Sequence, residues 1–364
     1  VLIDARTRSA SKCLSGLLAL AGFLSLGEGR AQAAGAGTSA AQFLQLGYGT
    51  RALGMGEAFT AVSDDAAALY YNPAGLGYPA GPQANLGAYE ATATESLGVQ
   101  DIMMTQAGFV MRPWGLSVTR MDLGSIEGRN QETDTPDTNF GASDNALSLT
   151  GAHRFEDLGL SLGMSGRYIE ESIATYHASA YAVDLGVLKR FSGSPFSLGA
   201  AITNLGTQLR FIDQGYPLPL TVSLGAAYGM TPKFPSAISL QVDMPRDQSP
   251  IVRLGFEYGG FGPLALRMGY RQLAGDQRSA IVGNQLGQTY SGISAFYGFF
   301  MGVGLRTKWG NFDYALQPQG DLGTENRFSF TARFGTGIKT AKPEAPAEPT
   351  GPTHYFFSPG GGGR

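Results

Sequence analysis

The feature that most restricts this chain is a two-residue rhythm repeated through most of its length. In the stretch Asn326 to Phe334, Phe328, Phe330, Ala332 and Phe334 alternate with Arg327, Ser329, Thr331 and Arg333. Leu220, Val222, Leu224, Ala226 and Tyr228 alternate in the same way with Thr221, Ser223, Gly225, Ala227 and Gly229. Leu264, Leu266, Met268 and Tyr270 alternate with Ala265, Arg267, Gly269 and Arg271. Successive side chains on a strand point to opposite faces, so each stretch reads as a strand with one greasy face and one polar or small one. From Gln83 onward about fourteen such segments follow, each able or nearly able to cross a bilayer when tilted. They are Gln83–Ala91, Ile102–Arg112, Gly115–Glu127, Asn145–Phe155, Leu158–Ile173, Ala180–Phe191 and Phe196–Arg210. Leu218–Met230, Ala237–Met244, Ile251–Tyr258, Pro263–Gln272, Gly298–Trp309, Phe312–Gln317 and Asn326–Phe334 complete the set.

The connections alternate too. Those at Arg112 to Gly115, Glu156-Asp157, Ser192 to Pro195, Thr231 to Pro235, Gly259 to Gly262 and Gly310-Asn311 are tight, whereas Gly128 to Asp144 and Leu273 to Tyr297 are longer. Short turns on one side and long loops on the other are the pattern of an outer-membrane barrel, with the turns facing the periplasm. An even strand number closes the sheet and leaves no edge toward lipid. A soluble β-sandwich has no reason for this asymmetry. The predicted fold is therefore all-β, a transmembrane antiparallel up-and-down barrel. Trp114, Phe155, Phe191, Phe196, Phe234, Phe261 and Trp309 lie in or beside the tight turns, where an interfacial girdle is expected.

Composition agrees. The chain has 53 Gly in 364 residues and only 15% charged residues, both far from average usage. Its net charge of −3 gives no reason to expect a nucleic-acid partner. Residues 1–33 read as a signal peptide: Arg6, Arg8 and Lys12 precede an apolar run from Cys13 to Leu26, and Ala31-Gln32-Ala33 is a cleavage pattern. The only Cys lies in that segment, so the expected mature chain has no thiol for disulfides, metal sites or nucleophilic chemistry. Residues 335–364 are rich in Pro, Ala, Glu and Gly and read as a disordered periplasmic tail.

Between signal and barrel, residues 34–82 form a distinct unit. Its centre, Gly49 to Gly77, has Gly49, Gly54 and Gly56 in a flexible first half. Ser63-Asp64-Asp65 reads as a helix start that caps Ala66 to Tyr70. Asn72-Pro73 reads as the stop, with Asn72 able to take a left-handed conformation. This stretch, RALGMGEAFTAVSDDAAALYYNPAGLG, resembles the N-terminal signature of the PorV/PorQ group of outer-membrane proteins, which belong with FadL-like barrels. Gly302 to Phe334 resembles the same family's last strands, and Phe330 and Phe334 its barrel-assembly signal. The resemblance implies that Arg51, Gly54, Met55, Gly56, Asp64, Asp65, Asn72, Pro73 and Gly75 belong to a short helical hatch folded into the barrel lumen.

No catalytic, metal or cofactor constellation emerges. Gly54-Met55-Gly56 lacks the strand, Lys and Ser/Thr of a phosphate loop. Asp64, Asp65 and Asn72 are better explained by capping than by a cation, and His153, His177 and His354 are scattered. No nucleophile elbow is present. Inward charges are expected at Arg154, Arg167, Asp184, Arg253, Glu257, Arg267, Arg271, Arg306, Lys308, Asp313 and Arg327. Their mixed signs predict an ion-paired network around the hatch rather than an open channel. The expected protein is a non-enzymatic integral outer-membrane barrel that transports hydrophobic small molecules. The alternatives are a PorV-like subunit of a type IX protein secretion system, handing exported proteins to the surface, and a structural scaffold. Expected partners are outer-membrane lipid, the barrel-assembly machinery, and a hydrophobic ligand or secreted protein cargo.

Overall fold

Alternating strands with a greasy face have to close on themselves, and they do. The computed structural model describes residues 38–79, 89–97, 102–129, 134, 136–229, 235–272, 296–319 and 323–334. The expected signal peptide, the tail and the position of Phe234 lie outside the described residues. The barrel strands are β1 (Tyr89–Leu97), β2 (Met103–Met111), β3 (Trp114–Gly128), β4 (Thr138–Phe155), β5 (Leu160–Ile173), β6 (Tyr176–Arg190) and β7 (Phe196–Gly206). A small hairpin, β8 (Leu209–Arg210) and β9 (Gly215–Tyr216), follows. The barrel continues with β10 (Thr221–Tyr228), β11 (Ser236–Pro245), β12 (Ile251–Phe261), β13 (Leu264–Gln272), β14 (Phe299–Arg306), β15 (Asn311–Pro318) and β16 (Thr324–Phe334).

Fourteen of these strands form one closed antiparallel barrel in up-and-down order. β1 closes on β16 in an unbroken register from Tyr89 opposite Phe334 to Leu97 opposite Asn326. Every wall strand is hydrogen-bonded to two neighbours. Among the described residues no helix is long and apolar enough to cross a membrane.

The alternation expected from the sequence is realised side by side. On β2, every second residue from Met104 to Val110 is buried and the intervening ones are exposed. On β6 the inward row is Ala178, Ala180, Ala182, Asp184, Gly186 and Leu188. Leu224, Tyr228, Leu266, Met268, Phe328, Phe330 and Phe334 are exposed on the outside, where a soluble protein would not leave them. Aromatic residues gather at the tight-turn end: Trp114 is 56% and Trp309 69% exposed, and Phe155, Phe191, Phe196 and Phe261 are exposed nearby.

Several strand bounds differ from expectation. β1 begins at Tyr89, and the expected start at Gln83 lies outside the described residues. β4 begins seven residues early, at Thr138 rather than Asn145, because β3 continues past a register shift after Asp122 and pairs with it out to Gly128. β5 and β6 are joined by Ala174 and Thr175 alone, so one connection on the long-loop side is tight. The expected strand to Arg210 ends at Gly206, since the register with β6 shifts between Val183 and Leu185 and the chain turns into the small hairpin.

Candidate functional site

The hatch sequence fills the lumen. It comprises a 3₁₀ turn at Gln42–Gln45, a helical turn at Thr50–Gly54, a second at Ala68–Tyr71 and a 3₁₀ segment at Pro73–Gly77. Each is too short to be stable alone. Packing supplies what length does not: Ala52, Leu53, Met55, Phe59, Leu69 and Leu76 are almost wholly buried. Phe59 and Tyr71 lie with ring centroids 5.6 Å apart, and Tyr70 meets Tyr71 edge-on at 4.8 Å.

Two glycines bring this plug against the wall. Gly56 has φ +64°, and a Cβ there would lie 2.8 Å from the Leu254 carbonyl oxygen on β12 and 2.9 Å from the Tyr270 nitrogen on β13. Gly54 meets Gly302 of β14 backbone to backbone, with a built Cβ only 3.1 Å from its Cα. The motif therefore needs small residues on both sides of the contact, and the wall provides Gly255, Gly269 and Gly302.

The motif polar residues act differently from expectation. The helical turn begins at Ala68, with no side-chain cap on its first residue. Ser63 instead donates its hydroxyl to the Phe59 carbonyl at 2.9 Å. Asp64 and Asp65 turn to Arg51, whose Nη1 lies 2.5 Å and 2.8 Å from their carboxylates. Ion pairing with a half-buried guanidinium outcompetes capping here, although Asp65 also accepts from the Ala67 N–H at 2.9 Å. Burial opposes ionisation of Asp64, but the Arg51 charge outweighs it and holds the carboxyl below its usual range. Asn72 is extended, with φ −161°, rather than left-handed. Its side chain accepts from the Ala74 N–H and donates to the carbonyls of Thr60 and Val187, tying plug turn to β6. Pro73 opens the 3₁₀ segment, where its missing N–H costs nothing. Gly75 packs against Ser63 and Ala68, and its carbonyl accepts from Arg112 at 3.0 Å.

The inward strand charges converge on this plug. Glu257 accepts from Arg51 at 2.8 Å and from Arg267 at 2.5 Å, and Arg267 reaches Asp313 at 2.6 Å. Arg253 bridges Asp243 and the plug residue Glu57, and Arg271 lies 3.9 Å from the same Glu57. Arg167 pairs with Asp184 at 2.7 Å and donates to Asn204 and Ser148. Arg327 pairs with Glu325 at 2.6 Å and donates to the Gly47 carbonyl. Arg154 lies over the Tyr78 ring, and Arg306 lines the lumen at the end of β14. Lys308 departs from expectation: β14 ends at Arg306, so Lys308 sits in the turn, over the Trp309 ring. Phe330 and Phe334 face outward, Phe330 against Phe312 and Phe334 stacked on Tyr89.

Sequence reading missed several partners. Asp243, Glu325 and Glu90 complete the pairs, and Gln106 and Gln241 meet plug backbone N–H groups at Gly49 and Thr60. All five lie on the inward parity of their strands, which was the available signal. Among the described residues no group of His, Cys, Asp and Glu is arranged to hold a metal.

The plug divides the lumen into two unequal parts. At the tight-turn mouth lies a cavity of about 670 Å³. At the other end, small spaces of about 110 and 180 Å³ flank Gln45, Gly47 and Glu57. There Phe43 and Leu44 are buried against an inward apolar patch of Ile169, Ala178, Ala180, Ala182, Leu209 and Leu218.

The fold has a solved counterpart. The crystal structure of the Pseudomonas putida toluene transporter TodX is 13% identical, spans 79% of this chain and 99% of its own, and superposes with a TM-score of 0.50. The two chains are similar in fold. The Ralstonia pickettii toluene transporter TbuX is 14% identical over 79% of this chain and 97% of its own, with a TM-score of 0.49. A Pseudomonas aeruginosa FadL homologue is 10% identical over 79% and 98%, with a TM-score of 0.45. No family model and no curated protein matches the sequence.

Proposed function

We propose that this chain is an integral outer-membrane barrel that passes small hydrophobic molecules through a plug-gated lumen, with its tight turns toward the periplasm. The observation that carries this reading is how the plug is held. Among the described residues one backbone–backbone hydrogen bond ties the plug to the rest of the chain, from the Ala40 N–H to the Pro217 carbonyl in the loop before β10, and none joins it to a wall strand. Its links to the wall run through side chains, such as Gln106 to Gly49, Gln241 to Thr60, Ser197 to Ala61 and Glu257 to Arg51. Such a plug can shift by exchanging side-chain partners while the ladder of the wall stays intact. A scaffold with no passage has no need of that arrangement.

The hydrophobic part of the reading rests on the inward apolar patch at the long-loop mouth. A barrel interior is ordinarily polar, yet here Ala178, Ala180 and Ala182 stand in a row with Ile169, leaving room that Phe43 and Leu44 occupy. An apolar molecule reaches this patch by taking the place of Phe43 and Leu44. The fold shared with the toluene transporter TodX and the PorV/PorQ-like motifs support an outer-membrane transport barrel, with the secretion-subunit role as the competing assignment.

The test is removal of the plug. Deletion of 49–71 in a barrel refolded into planar bilayers is expected to raise conductance severalfold. A folded deletion variant with unchanged conductance overturns the gating reading. A tether complements it: Ala61→Cys with Ser197→Cys, joined as a disulfide, is expected to stop uptake of a hydrophobic probe and to restore it on reduction. Uptake that ignores the tether but depends on a secreted protein partner would assign the chain to secretion instead.

A further inference from the structure

The cavity at the tight-turn mouth has charges that the ion-pair network leaves over. Five carboxylates line it, and each already faces a guanidinium: Asp64 and Asp65 face Arg51, Glu257 faces Arg51 and Arg267, Asp313 faces Arg267, and Glu90 faces Arg333. Three lining guanidiniums, Arg154, Arg190 and Arg306, have no carboxylate within ion-pair distance among the described residues. Asp64 lies close enough to act on Arg190 and Glu257 on Arg306, but both carboxylates are already engaged by Arg51, so these guanidiniums have no direct partner of their own.

Two of the three are held together by one aromatic ring. The Arg154 Cζ lies 4.8 Å and the Arg190 Cζ 4.4 Å from the centroid of Tyr78, which is buried and fixed by its hydroxyl to the Gly159 carbonyl at 2.5 Å. Cation–π contact positions guanidiniums and leaves their N–H edges available. Arg190 uses one edge on the Val62 carbonyl at 3.1 Å, and both guanidiniums line the cavity. Two like charges gathered on one ring, facing a cavity of about 670 Å³, form an anion receptor of the size of a small-molecule site.

We propose that the tight-turn mouth binds a soluble small molecule through an anionic group, carboxylate or phosphate, held between Arg154 and Arg190, with Arg306 lining the same cavity. Planar guanidiniums recognise both groups by paired N–H···O contacts. The site abuts Tyr78, a buried residue of the plug.

The test is equilibrium binding to the purified full chain in neutral detergent, which involves no transport and so fails or succeeds separately from the gating reading. Inorganic phosphate and acetate are titrated at constant ionic strength by calorimetry. Saturable binding of one or both is expected, weakened at least about tenfold in Arg154→Gln with Arg190→Gln and unchanged in Arg120→Gln, on the outer wall. If the double Gln variant fails to fold, Arg154→Lys with Arg190→Lys keeps the charge but not the fork, and a smaller loss is expected. No saturable binding, or binding indifferent to both variants, overturns the proposal. Repetition in nanodiscs separates the sources of phosphate. Binding retained in phosphatidylglycerol discs supports a soluble ligand, and binding abolished there but kept in phosphatidylcholine discs overturns it in favour of a lipid headgroup.

Discussion

Arg51 of the plug and Glu257 of β12 form a two-point pair, with Nε to Oε2 at 2.8 Å and Nη2 to Oε1 at 2.9 Å. The same carboxylate takes Arg267 of β13, which reaches Asp313 of β15. One chain of alternating charge thus runs from Asp64 and Asp65 through the plug and across the wall. Each charge is taken from water, and the network stands only because each has opposite neighbours at hydrogen-bond distance.

Removing the centre of that chain isolates its arms. Glu257→Gln leaves Arg51 and Arg267 facing an amide and is expected to destabilise the folded barrel by about 3–5 kcal/mol. Urea unfolding in lipid vesicles measures it. Glu127→Gln, which breaks an exposed pair with Arg129, is the control and is expected to change nothing measurable.

The plug should also loosen in acid. Arg51 holds the folded Asp64 carboxyl below its usual range. A depressed carboxyl contributes stability that is present above its unfolded value of about 4 and is lost as pH falls through the lower folded value. Protease cleavage within the plug is expected to rise below about pH 4, and Asp64→Asn is expected to show that susceptibility at neutral pH. Cleavage of the Asn variant that matches the parent at every pH would remove Asp64 from the latch.

The register of the last strand is testable by one charge moved one residue. Phe330 faces outward and Ser329 lines the mouth cavity. Phe330 is opposite Phe312, beside the Gly310 turn, so Phe330→Arg is expected to cost about 1 kcal/mol on folding into vesicles, and Ser329→Arg less. Equal costs would mean that the two faces are not lipid and lumen.

The barrel was legible because its signal is repeated in every strand. A two-residue period survives local noise, and Phe328, Phe330 and Phe334 declare their face without any partner being known. The inward charges were legible for the same reason: Arg167, Asp184, Arg253, Glu257, Arg267 and Arg327 share the polar parity. Their pairings were not, because Arg51 and Glu257 lie 206 residues apart and no local pattern joins them. The plug was misread in detail for a related cause. Ser63-Asp64-Asp65 has the composition of a helix cap, and only the tertiary position of Arg51 turns Asp64 and one oxygen of Asp65 elsewhere, while the other Asp65 oxygen takes the Ala67 N–H. Asn72 likewise finds the β6 carbonyl of Val187, which removes any need for a left-handed stop.

Close approach between plug and wall gives a selective way to displace one without breaking the other. A Cβ on Gly269 would lie 2.0 Å from the Gly56 nitrogen, whereas one on Gly166, on the outer face, would meet nothing within 4 Å. Gly269→Ala is expected to cost about 1–3 kcal/mol and to raise conductance, since the β12–β13 and β13–β14 ladders use backbone alone. Gly166→Ala is expected to do neither. A Gly269 variant that folds with parental conductance would show that the plug yields without opening a path.

The apolar patch at the other mouth yields the last prediction. Phe43 is 2% and Leu44 4% exposed, packed on Ile169, Ala178, Ala180, Ala182, Leu209 and Leu218. Three of these wall side chains are alanines, so Phe43 and Leu44 fill much of the space from the plug side. Phe43→Ala should therefore leave an apolar space that its rigid neighbours cannot close, at a cost of about 3–5 kcal/mol. An apolar space in water's absence accepts an apolar guest. The neutral fluorophore N-phenyl-1-naphthylamine is expected to bind the Phe43→Ala barrel several-fold more tightly than the parent, with blue-shifted emission. Ala180→Asp placed in the same background is expected to abolish the gain, because a carboxylate facing the vacated space would hydrate it. If Phe43→Ala lowers stability while fluorophore binding stays at the parental level, the patch serves only to seat the plug, and hydrophobic cargo loses its entry point.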